Sequence, residues 1–156
     1  MADAPSVLFV CLGNICRSPM AEGAFRAAAE RRGIAVQADS AGTGDWHAGD
    51  PPDPRAQAEA ARHGLDLSPL RARQVTAADF DRFDHIVAMD AANLADLRAI
   101  APPGARAALS LMLDHAGRAG QSVADPYYGG AEGFAVTWAD VAAASDGLLD
   151  RLSKPG

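Results

Sequence analysis

The feature that most constrains this chain is an abrupt change from strand-like to helical sequence between residues 7 and 19. The first part, Val-Leu-Phe-Val at 7–10, is a continuous apolar run of strand-like residues. From Pro19 onward, apolar residues recur at helical spacing. The connecting loop is therefore short, and it leads into a helix whose first amides have no intrahelical partner. We predict that this loop binds an anion, because those amides and the helix dipole converge there.

Reactive and phosphate-binding side chains lie within this predicted anion loop, residues 11–18. Cys11 ends the strand, at a point where a thiolate would be stabilised, and Arg17 brings a planar guanidinium suited to two phosphate oxygens. Ser18 can donate a hydrogen bond to the thiolate. Gly13 and Asn14 can take the positive φ angles that an anion-binding loop requires. The spacing Cys-x5-Arg-Ser therefore predicts a nucleophile at the base of a phosphate site. The alternative is a buried cysteine near a solvated arginine.

The bulk composition narrows the class of protein. A chain of 156 residues with 49% hydrophobic composition suits one compact domain, residues 1–156. A formal charge of −6 and a pI near 5.0 argue against binding to nucleic acid or to an anionic membrane. We expect a cytoplasmic protein, because no run has the length of a membrane span and the first residues lack a signal-peptide pattern. The two cysteines and four scattered histidines predict neither a disulfide framework nor a metal site.

The remaining hydrophobic pattern predicts an α/β fold. Strands are predicted at 7–11, 34–39, 84–89 and 107–113, and helices at 19–32, 55–63, 91–100 and from 132 onward. This alternation predicts a three-layer sandwich with a four-stranded parallel sheet, of the flavodoxin-like or Rossmann-like type. The anion loop, between the first strand and the first helix, is then expected at the carboxyl edge of the sheet.

Residues 11–19, Cys-Leu-Gly-Asn-Ile-Cys-Arg-Ser-Pro, resemble the signature of the low-molecular-weight protein tyrosine phosphatases. The resemblance extends over nearly the whole chain. Further motifs that follow the family order are Ser-Ala-Gly-Thr at 40–43, Asp-Pro-Pro-Asp at 50–53, Ala-Arg-Gln at 72–74, Met-Asp at 89–90 and Asp-Pro-Tyr-Tyr at 125–128. The resemblance implies hydrolysis of phosphotyrosine through a phosphocysteine intermediate, without a metal or another cofactor.

The resemblance also implies a role for individual residues. Cys11 is the expected nucleophile, Arg17 binds the phosphoryl group, and Asp125 protonates the leaving phenolate and then activates water. Ser40 is expected to hold the loop in shape through hydrogen bonds that include Asn14. The residues expected to bind or support the phosphate are Leu12, Gly13, Asn14, Ile15, Cys16, Ser18 and Ser40. Those expected to line the substrate cleft are Trp46, Tyr127 and Tyr128.

Several of these residues have ordinary structural alternatives. Trp46 could cover an edge of the core, and Asp125 before Pro126 could open an ordinary turn. Asp90 precedes a predicted helix, so we interpret it as an N-cap rather than as a rival acid. Leu70 stands where family members often carry a histidine that supports the anion loop. Because leucine cannot form hydrogen bonds, we expect a network that is rewired or filled by water.

The sequence also bears on the role of Cys16 and on alternative functions. Cys16 is either inert packing or, as the resemblance suggests, the partner of Cys11 in a reversible disulfide. An arsenate reductase would need further cysteines, and none follows Cys16. In a phosphoarginine phosphatase, the loop position held here by Ile15 would resemble threonine. An idle phosphate-binding module would be expected to lose Cys11 or Asp125. The expected partners are a phosphotyrosine-containing protein or a small aryl phosphate and, by analogy, a cognate tyrosine kinase.

Overall fold

The structure is a computed structural model that describes residues 4–127 and 129–153 of the chain. Its elements are β1 (Ser6–Cys11), α1 (Arg17–Arg31), β2 (Gln37–Gly42), α2 (Pro54–Arg62), α3 (Asp79–Arg82), β3 (His85–Ala88), α4 (Ala91–Ile100), β4 (Ala108–Leu111), a 3-10 helix (Met112–Ala116) and α5 (Ala131–Ser153). The four strands form one sheet in the order β2-β1-β3-β4, with every pairing parallel. The predicted fold class, an α/β fold with a four-stranded parallel sheet, is confirmed.

The sheet is arranged around β1, which is buried along its whole length. It pairs with β2 on one side, where Cys11 lies opposite Gly42, and with β3 on the other, where Val10 lies opposite Ala88. The chain thus changes direction across the sheet at β1. In open parallel sheets, a crevice forms beyond the carboxyl ends of the strands at such a switch point. The anion loop follows β1 at this place.

Two hydrophobic clusters cover the two faces of the sheet. Val7 and Phe9 point into a cluster that includes residues of α1 and α5. Leu8 and Val10 point into a second cluster that includes residues of α3 and α4. This alternation explains why the first strand is apolar at every position. Within the described residues, no helix combines the length and the apolarity needed to cross a membrane.

The predicted bounds of two strands are wrong. The segment 34–39 is not the second strand, which instead runs over Gln37–Gly42. Gly33 takes a φ of +66° after α1, and the next amide, of Ile34, donates to Ala29 O at 2.9 Å. Gly33 and Ile34 therefore complete the end of the helix before the chain enters the sheet.

The fourth strand is shorter than the predicted 107–113. It ends at Leu111, and the chain continues as the 3-10 helix. Met112 and Leu113 are both fully buried, so the alternation that suggested a longer strand does not continue. Asp114 stabilises the turn because its carboxylate accepts hydrogen bonds from the amides of Leu111 and Gly120, at 3.4 and 2.9 Å.

Candidate active site

The anion loop turns at Asn14, which adopts a φ of +59°. Positive φ is costly for most residues but tolerated by asparagine. This conformation directs the backbone amide of Asn14 toward Cys11, and its nitrogen lies 3.2 Å from Sγ. Ser18 Oγ lies 3.1 Å from the same sulfur, and Cys11 is only 3% exposed. The sulfur therefore has two polar hydrogen-bonding neighbours, as a stabilised thiolate requires.

The side chain of Asn14 joins the loop to the segments behind it. Its amide group donates to Ser18 Oγ at 2.8 Å and to Ser40 Oγ at 3.0 Å. Its carbonyl oxygen accepts from the backbone amide of Arg73 at 3.0 Å. Leu70 stands where the family resemblance suggested a histidine. It is half-buried and packs against the larger hydrophobic cluster. The loop is thus connected to Arg73, a contact that sequence reasoning did not anticipate.

The end of β2 approaches the anion loop closely, and this requires glycine at position 42. A Cβ atom placed on Gly42 would lie 2.8 Å from Leu12 O. The close approach allows the amides of Thr43 and Gly44 to donate to Cys11 O and Leu12 O, at 3.0 and 2.9 Å. These bonds satisfy carbonyl groups on one side of the loop, so that the opposite side can face the pocket.

Arg17 is 4% exposed, and its orientation is set by two hydrogen-bond acceptors and one further carboxylate. Nη1 donates to Asp90 Oδ2 at 2.8 Å and to Val123 O at 3.0 Å, while Nη2 lies 3.7 Å from Asp125 Oδ2. Asp90 also caps α4, as predicted, by accepting from the Asn93 amide at 2.7 Å. Its second role as partner of Arg17 was missed. The capping position gave no signal for this role, because the contact joins residues 73 positions apart.

A cavity of about 360 Å³ opens above the loop. Its lining residues are Cys11, Leu12, Gly13, Ile15, Cys16, Arg17, Trp46, His47, Asp125 and Tyr127. Of the predicted site residues, Asn14, Ser18 and Ser40 lie behind this surface in the hydrogen-bond network, and Tyr128 falls outside the described residues. His47 was not predicted. Its ring lies against Gly13, where a Cβ atom would be 3.1 Å from His47 Cδ2.

Trp46 and Tyr127 form exposed walls of this cavity. Trp46 is 70% exposed, so it does not cover an edge of the core. Its ring packs on the backbone of Gly44, where a Cβ atom would come within 1.8 Å of Cζ3. Asp125 Oδ1 accepts from the Tyr127 amide at 3.0 Å, so the turn considered as the alternative is formed, and the other oxygen faces Arg17. The turn and the cavity-lining position therefore coexist at Asp125.

Arg55, at the start of α2, holds the segment that follows Asp125. Its guanidinium donates to the carbonyl oxygens of Tyr127 and Gly129, at 3.0 and 3.1 Å. It also lies 4.7 Å from the ring centroid of Phe134 and forms an ion pair with Asp53 at 3.0 Å. Sequence reasoning missed this arginine. The only signal was its place directly after the Asp-Pro-Pro-Asp-Pro segment.

The two cysteines differ in their surroundings. Both are buried and free. Burial, together with the negative charge of Asp53, raises the pKa of the Cys16 thiol far above its usual range. Cys16 therefore stays protonated near neutral pH, and Cys11 is the better candidate for a nucleophile. Among the described residues, no group of three or more His, Cys, Asp or Glu side chains is arranged to hold a metal ion.

A buried thiol, an arginine and an aspartate converge at the switch point of a parallel sheet, an arrangement typical of phosphate-binding proteins that use a cysteine nucleophile. Comparison with known proteins gives the family. A family model described as low molecular weight phosphotyrosine protein phosphatase matches residues 6–156. The chain belongs to this family, as its motifs predicted.

Relatives and solved structures agree with this assignment. A Streptomyces coelicolor protein named low molecular weight protein-tyrosine-phosphatase is 50% identical, over 92% of this chain and 90% of its own length. The crystal structure of YfkJ from Bacillus subtilis has a TM-score of 0.88 and 40% identity, covering 96% of this chain and 95% of that one. The crystal structure of DARP, a Drosophila arginine phosphatase, has a TM-score of 0.89 at 31% identity, covering 96% and 99%.

Proposed function

We propose that this protein is a protein-tyrosine phosphatase that hydrolyses phosphotyrosine through a phosphocysteine intermediate. The observation that carries the proposal is the environment of Cys11. Its sulfur lies at the base of the cavity, 3.1 Å from Ser18 Oγ and 3.2 Å from the Asn14 amide nitrogen. Arg17 and Asp125 line the same cavity. Membership of the low molecular weight phosphotyrosine protein phosphatase family supports the substrate class.

In the first step, the Cys11 thiolate attacks the phosphorus atom and forms an S–P bond. The bond between phosphorus and the phenolic oxygen breaks, and Asp125 transfers its proton to the leaving oxygen. Arg17 and the backbone amides of the anion loop bind the equatorial oxygens, where they stabilise the charge of the transition state. The hydrogen bonds that Arg17 donates to Asp90 and to Val123 O keep its guanidinium in one orientation for this purpose.

In the second step, Asp125 is a carboxylate and accepts a proton from water. The water oxygen attacks phosphorus, the S–P bond breaks, and inorganic phosphate forms while Cys11 leaves as a thiolate. The hydroxyl of Ser18 can donate to the departing sulfur across the 3.1 Å separation. Neither step uses a metal, because Arg17, the loop amides and Asp125 supply the charge and the protons.

The shape of the cavity favours a substrate with an aromatic leaving group. Leu12, Trp46 and Tyr127 give it apolar and aromatic walls above the sulfur, which suit a phenyl ring. Ile15 lines the cavity, at a loop position where a threonine would be expected in a phosphoarginine phosphatase. The proposed substrates are therefore phosphotyrosine-containing proteins, made by a tyrosine kinase, and small aryl phosphates. We propose that the reaction takes place in the cytoplasm, whose reducing conditions keep Cys11 reduced.

The proposal is tested by steady-state hydrolysis of matched phosphotyrosyl, phosphoseryl and phosphoarginyl peptides in the presence of EDTA. We expect turnover of the phosphotyrosyl peptide, little turnover of the other two, and no effect of EDTA. Cys11→Ser should abolish turnover but still bind phosphate or vanadate. A preference for phosphoarginine would contradict the substrate class. The absence of turnover with every peptide would instead favour an idle phosphate-binding module.

A further inference from the structure

A second groove, of about 260 Å³, lies beside the cavity above Cys11. Its lining residues are Leu12, Thr43, Gly44, Trp46, Asp96, Ala99 and Ile100. Leu12 and Trp46 also line the cavity above Cys11, so these two side chains separate the groove from the cavity. A peptide with its phosphotyrosine in the cavity can therefore place a neighbouring residue in the groove.

The groove is formed by large apolar side chains that the fold leaves exposed. Leu12 is 47% exposed, Trp46 70% and Ile100 48%. A cluster of exposed apolar residues beside a substrate cavity is typical of a binding surface. The indole of Trp46 is also held in place, because it packs directly on the backbone of Gly44. The groove is thus preformed, so that the protein would lose little conformational entropy when a ligand binds.

The charge of the groove comes from Asp96 on α4. Of the described residues that line the groove, Asp96 alone is charged. It is exposed, and it takes part in none of the ion pairs that join described residues. Lysine and arginine side chains combine an apolar stem with a cationic end. Such a side chain could pack its stem on Trp46 and Ile100 while its cation faces Asp96, whereas an acidic side chain would be repelled.

We propose that this groove binds a lysine or arginine side chain that flanks the phosphotyrosine of a peptide substrate. The inference rests on the proposed function, because it assumes a phosphotyrosine bound above Cys11. It adds a sequence preference that the chemistry of the phosphate site does not provide. The preference depends on Asp96 for charge and on Trp46 and Ile100 for apolar contact.

The test compares kcat/KM for phosphotyrosyl peptides in which alanine, arginine, leucine or glutamate is placed in turn at each position near the phosphotyrosine. For the wild type, we expect one position at which arginine is favoured over glutamate by about tenfold, with leucine between them. Asp96→Asn should reduce this ratio, and Asp96→Lys should reverse it. Glu30→Gln removes an exposed acidic charge from the far end of α1, and it should leave the ratio unchanged.

Hydrolysis of p-nitrophenyl phosphate separates the two claims, because this substrate has no flanking residue. We expect all these variants to hydrolyse it at the wild-type rate. Equal kcat/KM for arginine and glutamate peptides at every position, or a preference that survives Asp96→Lys, would overturn the subsite while leaving the proposed function intact. Failure of the wild type to hydrolyse p-nitrophenyl phosphate and every peptide would overturn both the proposed function and the subsite.

Discussion

At the residue scale, Asp90 shows how one carboxylate can serve both the fold and the site. One oxygen caps α4, and the other accepts a hydrogen bond from Arg17. The first contact is local and follows from the position of an aspartate before a helix. The second joins distant parts of the chain and orients the group proposed to bind phosphate. Substitutions that keep the cap but cannot reach Arg17 therefore distinguish the two contributions.

We predict that Asp90→Ser lowers kcat/KM for an aryl phosphate by about tenfold or more, equivalent to about 1.4 kcal/mol of transition-state stabilisation. Serine caps helices well but is too short to reach Arg17. Asp90→Ala should lose similar activity and should also lower the free energy of unfolding by about 1 kcal/mol, because the cap is removed. Steady-state kinetics and urea unfolding measure the two effects. Full activity in Asp90→Ser would refute the role assigned to Asp90.

Cys16 gives a second prediction at this scale. A reversible disulfide with Cys11, implied by the family resemblance, would protect the nucleophile from irreversible oxidation. Cys16→Ser is then expected to recover less activity than the wild type after treatment with peroxide followed by a thiol. The comparison is made on samples inactivated to the same extent, and mass spectrometry identifies the oxidised species. Equal recovery by the two proteins would rule out this protection.

At the scale of elements, α2 and the segment after Asp125 are connected through Arg55. The arginine is the second residue of the helix, after Pro54, and the carboxylate of the cap Asp53 accepts from the Arg55 amide at 2.8 Å. Its guanidinium then donates to two carbonyl oxygens of the other segment and lies over the ring of Phe134 on α5. Three separate elements are thereby held together next to the proposed general acid. We infer that Arg55 positions Asp125 without contacting the substrate.

Arg55→Lys keeps the positive charge but cannot donate to both carbonyl groups in the same geometry. We predict that it lowers kcat/KM for phenyl phosphate by about fivefold or more and changes kcat/KM for p-nitrophenyl phosphate by less than about twofold, since kcat/KM includes only the steps up to departure of the leaving group. The reason is that a poor leaving group depends on protonation by the acid, and a good one does not. Arg62→Lys, at the other end of α2, is the matched control. An equal loss with both substrates would argue against positioning of the acid.

The sequence predicted the elements of the fold better than their ends. The buried run before Cys11 and the periodic helix at 91–100 depend on local patterns, and both are found as predicted. The second strand is displaced because the αL turn at Gly33 uses the next residue to complete the helix end. Within the site, the predicted residues lie in contiguous motifs. Arg55 and His47 were missed because their contacts depend on tertiary packing.

At the scale of the whole molecule, α5 closes one face of the sheet by packing against the 3-10 helix. A Cβ atom on Gly147 would overlap His115 O, at a distance of 1.6 Å, so only glycine allows this approach. His115 is consequently buried, and its Nε2 lies 2.9 Å from Ser110 Oγ. Burial lowers the pKa of His115 from 6.5 to about 4. A proton on this ring is therefore disfavoured in the folded protein.

This burial predicts how the free energy of unfolding depends on pH. Between pH 6.5 and about 4, His115 binds a proton in the unfolded chain but not in the folded protein. Stability must therefore fall as the pH is lowered through this range, by a total on the order of 3 kcal/mol. His85, whose pKa is also lowered by burial, acts in the same direction, and Glu22, whose pKa is raised by burial, acts in the opposite one.

His115→Gln isolates this contribution, because glutamine can still form a hydrogen bond with Ser110 but does not titrate. We expect urea unfolding at a series of pH values to show a clearly smaller loss of stability in the variant than in the wild type over the same range. Superimposable pH profiles for the two proteins would mean that His115 is not the group responsible.

The central claim is that Cys11 carries the phosphoryl group during turnover, and acid-quench mass spectrometry of Asp125→Ala tests it most directly. With p-nitrophenyl phosphate, the leaving group departs without an acid, but water attack is slowed because the base is missing. We predict that the quenched protein gains the mass of one phosphoryl group, located on Cys11, and that the double variant with Cys11→Ser gains none. A phosphoryl group on another residue, or turnover that continues in Cys11→Ser, would contradict the account.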